Sequence, residues 1–322
     1  MSKKMQKYSG IGGQAVLEGI MMKNKEQYAV AVRKPNGEIA VEVEHYNGIL
    51  HASKLMDIPF VRGVFQFIDS LILGMRCLDF SASFYEDEEE QTAANSVLNK
   101  IFKDKAEKVF SAVVMLLSLA LAIGIFMILP YYITSRFEEY IRSASFMAII
   151  EGALRILIFV CYVLAISLMK DIRRVYCYHG AEHKCINCIE KGAPLTVKEV
   201  MRCSKQHRRC GTSFLLFVMF VSVVLFFFIR VENPALRVLV RIALIPVIAG
   251  ISYEIIRLAG RSNNILVRMI SAPGMWLQRL TTREPDESMV EVAIAAIEAV
   301  FDWKAYIKEK FGYEVDESWM EE

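Results

Sequence analysis

The chain has 322 residues, 54% of them hydrophobic, and a mean hydropathy of +0.33. These values exclude an ordinary soluble protein, because the apolar excess is concentrated in a few long blocks. The formal net charge of +2 is too small to indicate nucleic-acid binding. No apolar core follows the polar residues 1–10, so a cleaved secretory signal peptide is not expected.

The first 52 residues are predicted to form a small β unit. Residues 28–34 and 38–45 alternate between apolar and polar side chains, and Asn36-Gly37 lies between them. Asn-Gly accepts the positive φ values of a tight turn, so this pattern predicts a β-hairpin. Residues 12–19, which begin with two glycines, resemble a glycine-kinked strand. These glycines lack the strand-to-helix setting of a phosphate loop, which favours turn chemistry over nucleotide binding.

An amphipathic helix is expected next. Apolar residues recur at three- and four-residue steps across residues 55–84, as in a helix that lies on a bilayer or packs against a helix bundle. The acidic run Glu86 to Glu90 is typical of a solvated loop.

Four apolar segments are predicted to cross a membrane, at about 109–133, 146–169, 213–230 and 235–257. Each is close to the roughly 20 residues needed to span the hydrocarbon core. The link at 170–212 carries ten Lys or Arg residues against four acidic residues. By the positive-inside rule, this link and both termini face the cytoplasm of a multi-pass protein in the cell (plasma) membrane. A reducing cytosol makes a metal site more probable than disulfides for the cysteines there.

The chain is therefore expected to be a mainly α, multi-pass membrane protein with about four transmembrane helices, amphipathic interfacial helices and a small N-terminal β unit. The expected divisions are 1–52 for the β-hairpin unit, 53–108 for the amphipathic helices and acidic loop, 109–169 for transmembrane helices 1 and 2, 170–212 for a cytoplasmic Cys/His metal-binding loop, 213–257 for transmembrane helices 3 and 4, and 258–322 for an interfacial segment and a C-terminal amphipathic helix.

Charged residues inside the apolar segments are expensive to bury, so they are expected to pair with one another. Glu151 and Arg155 are one turn apart in the second segment, and Arg241 lies at a similar outer depth in the fourth. Glu254 lies near the cytoplasmic end of the fourth segment, on the same side of the membrane as the Cys/His loop.

The stretch from Cys177 to Cys210 holds five of the seven cysteines and three of the five histidines. Within it, His179-Gly180-Ala181-Glu182-His183 has an H-x-x-E-H pattern. On a helix these three polar residues share one face, so His179 and His183 could hold a zinc ion while Glu182 acts as the catalytic group on its water. The inverted zincin peptidases use this motif with a more distant acidic ligand. Glu254 is the best candidate for that ligand.

A second set of ligands has the spacing of a closed Cys3His zinc site. It consists of Cys185, Cys188, His207 and Cys210. Cys177 or Cys203 could substitute for one of these ligands, and His179 or His183 could belong to the same site, which would give one metal instead of two. A reduced, metal-free packing loop is the alternative.

Four motifs in order resemble those of the YqhQ-like bacterial membrane protein family, domain of unknown function 1385. They are Gly12-Gly13-Gln14-Ala15-Val16 with Glu18-Gly19 and Met21-Met22, Pro59-Phe60-Val61-Arg62-Gly63, His179-Gly180-Ala181-Glu182-His183-Lys184, and His207-Arg208-Arg209-Cys210-Gly211-Thr212-Ser213-Phe214. The resemblance covers nearly the whole chain. It implies a predicted metal-dependent enzyme without an assigned reaction, with metal at His179, Glu182 and His183 and also at His207 and Cys210. Arg208 departs from the family pattern, in which proline is expected.

Two functions remain open. As a hydrolase, the protein would use zinc, with Glu182 as base, to cleave a peptide or lipid-linked bond at the cytoplasmic membrane surface. As a scaffold, it would use the metal only to tie the loop to the helix bundle, and the β unit would recruit a protein or lipid partner. A transporter is a weaker third possibility, since no inverted-repeat symmetry is visible between the helix pairs.

Overall fold

The computed structural model describes residues 7–49, 53–85, 109, 112–137, 139–141, 143–229, 231, 233–261 and 264–315. These residues fall into two compact units. One contains residues 1–84, 163–218 and 247–322, and the other contains residues 85–162 and 219–246.

The N-terminal region forms a four-stranded antiparallel sheet in the order β1-β2-β3-β4. The strands are β1 Gly12–Val16, β2 Gly19–Asn24, β3 Gln27–Arg33 and β4 Ile39–His45. The predicted hairpin is confirmed, since Arg33 pairs with Ile39 across the Asn36-Gly37 turn.

Residues 12–19 differ from the expected single kinked strand. Val16 pairs with Gly19, so the chain reverses through Leu17 and Glu18 and continues as β2. Glu18, the second central residue of this turn, has a φ of 49°, a left-handed conformation that residues other than glycine seldom adopt. The pattern of the sequence did not reveal β2, because its residues Gly19–Asn24 lack a clear apolar alternation.

The helices follow the sheet. They are α1 Val61–Ala82, α2 Ala112–Ser135, α3 Ala144–Ser167, α4 Lys170–Glu190, α5 Val197–Met201, α6 Gly211–Phe228, α7 Pro234–Ala243, α8 Ile245–Arg261, α9 Ile265–Thr281, α10 Glu287–Glu298 and α11 Trp303–Phe311. A short 3-10 helix, Lys54–Asp57, precedes α1.

Helices cover both faces of the sheet, because its side chains alternate between two apolar clusters. Ile20 and Ala31 point to one face and join the buried residues of α4 and α10. Met21 and Val30 point to the other face, where they meet Leu73 and Cys77 of α1. The first unit therefore has helix, sheet and helix layers, and α1 is the amphipathic helix that the sequence predicted. The predicted acidic loop at 86–90 lies outside the described residues.

Four helical stretches are long and apolar enough to cross a membrane: Ala112–Ser135, Ser145–Ser167, Gly211–Phe228 and Ala235–Gly260. They agree with the predicted segments to within about three residues at each end, a deviation that is normal for helix boundaries. The link between the second and third is not a loop throughout, since α4 and α5 occupy much of it. Pro273 lies inside the continuous helix α9 and does not interrupt it.

The charged residues of the second unit pair as expected. Glu151 lies 2.8 Å from Arg155 and 2.7 Å from Arg241, and all three side chains are at most 10% exposed. Ser222 accepts a hydrogen bond from Arg155 at 2.9 Å. One carboxylate thus balances two buried guanidinium groups.

Candidate metal centre

Helix α4 carries both histidines of the H-x-x-E-H motif, as the sequence predicted. His179 and His183 are one turn apart, which stacks their side chains on the same side of the helix. The centroids of the two rings lie 4.3 Å apart. His183 is 1% exposed, so the pair reaches from the helix surface into the interior.

Backbone carbonyl groups fix the orientation of both rings. The Nδ1 atom of His179 lies 2.9 Å from the carbonyl oxygen of Thr281, at the end of α9. The Nδ1 atom of His183 lies 2.7 Å from the carbonyl oxygen of Lys205. A carbonyl only accepts, so Nδ1 carries a proton in each ring, and in the neutral form of the ring the lone pair is on Nε2. This is the usual arrangement of metal-binding histidines.

Cys210 brings a sulfur atom to this pair. Its Sγ lies 3.2 Å from Nε2 of His179, because Cys210 comes directly before α6, whose first turn faces α4. Thr212 supplies two contacts to the same sulfur, through its hydroxyl at 2.8 Å and its backbone N–H at 3.4 Å. The ligand atoms of His179, His183 and Cys210 all lie within 4.8 Å of one another. Within the described part of the chain, this is the one group of three or more such ligands.

Glu182 lies beside the three ligands. Its Oε2 atom is 3.8 Å from Nε2 of His179, and the residue is 5% exposed. Burial raises the pKa of Glu182, although the neighbouring His179 and a hydrogen bond from the backbone N–H of Gly13 oppose that rise. A carboxyl group with a raised pKa next to a candidate metal site is suited to proton transfer.

Two glycines allow the backbone to approach this site closely. A Cβ atom on Gly13 would lie 2.7 Å from the carbonyl oxygen of Met21 and 3.0 Å from Cγ of Glu182. A Cβ atom on Gly180, inside the motif, would collide with the carbonyl oxygen of Arg283. The sequence indicated turn chemistry for the N-terminal glycines. The structure shows that Gly13 contributes an N–H group to the candidate site.

The second predicted ligand set is not brought together. Cys185 is fully buried in the apolar cluster of the first unit, and burial raises its pKa. Cys188 is hydrogen-bonded to Cys203, which, together with burial, raises the pKa of Cys188. His207 lies 3.4 Å from the carboxylate of Glu190, and burial lowers the pKa of His207 to about 4. Of this set, only Cys210 joins the two histidines of α4.

Glu254, the predicted third ligand, is placed elsewhere. Both of its carboxylate oxygens accept hydrogen bonds from Arg62 of α1, at 2.7 and 2.6 Å. It is not part of the His179, His183 and Cys210 group. Arg62 belongs to the predicted Pro59–Gly63 motif, whose structural role is thus to join α1 to α8.

A cavity of about 700 Å³ opens next to the candidate centre. His179 and Glu182 line it on the α4 side, Asp69 and Leu73 line it on the α1 side, and the residues of β1 lie between them. Gly211 and Thr212, the first residues of a membrane-length helix, also line the cavity. Glu182 therefore faces a cavity at the end of a membrane-length helix.

Comparison with known proteins places the chain in a family. The model of the family described as "Protein of unknown function (DUF1385)" matches residues 58–303. The chain belongs to this family. It is also 35% identical, over 297 residues, to the uncharacterized protein YqhQ of Bacillus subtilis (strain 168), an alignment that covers 88% of this chain and 89% of that protein. No solved structure matches. The part of the chain that matches the DUF1385 family contains His179, His183, Cys210 and Glu182.

Proposed function

We propose that this protein is a metal-dependent hydrolase of the membrane, with His179, His183 and Cys210 as metal ligands and Glu182 as general base. One observation carries the proposal. Both imidazoles have Nδ1 committed to a backbone carbonyl, so both Nε2 lone pairs are available on the side where the sulfur lies.

The donor atoms fit a zinc-type ion. Imidazole nitrogen and thiolate sulfur are the ligands that Zn²⁺ prefers, and three protein ligands leave a fourth position for water or substrate, as in catalytic zinc sites. A bound divalent ion would supply Lewis acidity, which lowers the pKa of water and polarises a carbonyl group. Two neutral imidazoles and one thiolate also leave a net positive charge on the site when a divalent ion is bound.

The protein's own groups would handle the proton. Glu182 faces the cavity, where its carboxylate can take a proton from water and pass it to a leaving group. The N–H of Gly13 holds this carboxylate in position. The carbonyls of Thr281 and Lys205 keep each imidazole in one tautomer, and a metal bound at both Nε2 atoms would leave Glu182 as the free base beside it.

The position of the cavity supports a substrate at the membrane surface. The cavity is lined by the first residues of α6 and by Tyr253 of α8, both within stretches long enough to cross a membrane. The excess of Lys and Arg in residues 170–212 supports a cytoplasmic position for this end of the helices.

The test is metal per chain, measured by elemental analysis on detergent-purified protein prepared without chelator. We expect near-stoichiometric metal in the wild type and in Glu182→Gln, and loss of metal in His179→Ala/His183→Ala and in Cys210→Ser. Cys185→Ser/Cys188→Ser is the matched control and should keep its metal. A wild type without metal, or metal lost only from the control, would overturn the proposal.

A scaffold is the second candidate, favoured by the fact that the three ligands come from two segments, α4 and the residue before α6, which a metal would join. The two functions separate at Glu182. In the hydrolase, Glu182→Gln abolishes turnover while metal and fold persist. In the scaffold, Glu182→Gln is silent, whereas Cys210→Ser increases the sensitivity of residues 191–210 to protease.

A further inference from the structure

The first strand of the sheet has an unpaired side. β1 pairs with β2 alone in the order β1-β2-β3-β4, and among the described residues no strand adds to its other side. Such an edge presents backbone N–H and C=O groups that can pair with another extended chain.

Hydrogen bonds outside the sheet show which residues of this region point away from β2. The N–H groups of Ile11 and Leu17 donate to the hydroxyls of Ser9 and Ser81, at 3.4 and 3.3 Å. The N–H of Gly13 is directed towards the carboxyl group of Glu182. In an antiparallel ladder, residues that face the partner strand alternate with residues that face away. Ala15 belongs to the same odd-numbered series, so its N–H and C=O point away from β2.

The cavity lies along this side of β1. Gly13 and Ala15 line it together with His179 and Glu182 of α4 and Leu73 of α1. Because α4 and α1 pack on opposite faces of the sheet and both line the cavity, the cavity passes around the edge of β1, and on the α1 face it extends to Met21 and Lys23 of β2. The five residues of β1 extend about 17 Å at ~3.3 Å per residue, enough for a peptide of similar length.

We propose that the substrate is an extended peptide segment that adds to β1 as a fifth strand, a step that rests on the proposed hydrolase. The outward N–H and C=O of Ala15 would bond the peptide backbone, and the scissile carbonyl would lie next to His179 and Glu182. The oxygen of water bonds to the carbonyl carbon, the C–N bond breaks, and one proton of the water passes through Glu182 to the leaving amine. The second proton of the water remains on the new carboxyl group and is released when that group ionises, so the products are a carboxylate, an amine and a proton.

The polar edge favours a peptide over a lipid acyl chain. An acyl chain next to Ala15 would leave the outward backbone groups without partners once water is displaced, which is unfavourable for each buried group. A peptide strand satisfies them. Its side chains would alternate between the α1 side and the α4 side, as those of β1 do.

Ala15→Pro tests the strand addition, because it removes an outward N–H while leaving the pairing of β1 with β2 intact. The backbone can accept this proline, since the preceding residue, Gln14, is already extended. Ala15→Val keeps the N–H and is the matched control. The first probe is a degenerate mixture of quenched-fluorescent decapeptides, and the second is the same mixture with N-methylated backbones. Cleavage in detergent is measured for the full-length wild type, Ala15→Pro and Ala15→Val. Hydrogen exchange of the Ala15 amide is measured in Glu182→Gln and in Glu182→Gln/Ala15→Val, with and without the decapeptides.

We expect Ala15→Pro to cut the decapeptides roughly tenfold more slowly than Ala15→Val, since one lost backbone hydrogen bond corresponds to about 1.4 kcal/mol. The N-methylated peptides should be poor substrates, and decapeptides should slow exchange at Ala15. Equal cleavage by both variants and of both probes would overturn strand addition while leaving the hydrolase standing. Slowed exchange without any cleavage would keep strand addition and overturn the hydrolase. If the decapeptides are not cleaved and do not slow exchange at Ala15, a peptide substrate is overturned. The metal measurements then decide separately whether the protein is a metal-dependent hydrolase.

Discussion

Replacing Glu190 by Gln is predicted to destabilise the first unit without touching the candidate metal ligands. The residue ends α4 and is 3% exposed. Its carboxylate accepts hydrogen bonds from the backbone and hydroxyl of Ser9, at 3.0 and 2.9 Å, and pairs with Arg209. It also contacts His207. The charge of Glu190 therefore joins the N-terminal segment, α4 and the chain leading to Cys210.

The magnitude follows from the ionisation of this carboxyl. Burial alone would raise its pKa, but the hydrogen bond with His207 and the charge of Arg209 outweigh burial and lower the pKa from 4.5 to about 2. Each tenfold change in an ionisation constant corresponds to about 1.4 kcal/mol, so the ionised group contributes about 3 kcal/mol to the free energy of unfolding at neutral pH. Removing one partner of a buried ion pair costs a similar ~3–5 kcal/mol.

The assay is thermal unfolding in detergent, followed by intrinsic fluorescence between pH 2 and pH 8. At neutral pH we expect Glu190→Gln to lower the midpoint by roughly 6 °C, at ~2 °C per kcal/mol for a chain of this size. Because the folded pKa is depressed, the stabilisation is complete above about pH 4.5 and disappears as the pH falls towards about 2. The difference between wild type and variant should therefore close over that window.

The control is Glu309→Gln, since the side chain of Glu309 on α11 is 70% exposed. A surface change of this kind should shift the free energy of unfolding by no more than ~0.5 kcal/mol. If Glu190→Gln behaves like this control at pH 7, or if its difference from wild type persists unchanged at pH 2, then the Glu190 carboxylate does not stabilise the fold through its charge.

Three further changes test other parts of the structure. Gly180→Ala should lower the free energy of unfolding by about 1–3 kcal/mol, because the new Cβ collides with a backbone carbonyl. The control Gly12→Ala has open space around the new Cβ and should leave the free energy of unfolding unchanged. Equal effects of the two substitutions in chemical unfolding would contradict the close packing at Gly180. Glu254→Gln should keep its full metal content in elemental analysis, because this carboxylate is engaged by Arg62, and a loss of metal would restore Glu254 as a ligand. Glu151→Gln should lower the free energy of unfolding by about 3 kcal/mol, because its two arginine partners remain buried. Replacing both arginines by Met in the same chain should restore most of the lost free energy of unfolding. If it restores none, the ion-pair explanation is refuted.

Much of the fold was predictable because it depends on local patterns. Alternation and Asn36-Gly37 defined the β3–β4 hairpin, and apolar blocks of about 20 residues defined the membrane-length helices. The strand β2 was missed, since its buried residues on both faces give little alternation. The turn at Leu17 and Glu18 has no glycine in its central positions, so nothing in the sequence marked it.

The candidate centre was predictable only in part, for a physical reason. The spacing of His179 and His183 on one helix is a local property, and the sequence therefore indicated this pair. Which cysteine joins them depends on how α4 and the start of α6 pack, and spacing within the chain does not encode that contact. Cys185 and Cys188 had good ligand spacing, yet they lie in the apolar cluster. The groups that orient the imidazoles are backbone carbonyls, which every residue has, so no side-chain pattern could reveal them.

The hydrogen bond between His179 and Thr281 spans 102 residues of sequence, and this distance has a consequence for the timing of synthesis. At roughly 5–20 residues per second, the ribosome makes α4 about 5–20 s before it makes the carbonyl that orients this imidazole. During that interval two further membrane-length helices, α6 and α8, are synthesised. The nascent chain therefore carries its histidines without their final alignment, and the centre is completed only after the last membrane-length helix has been made.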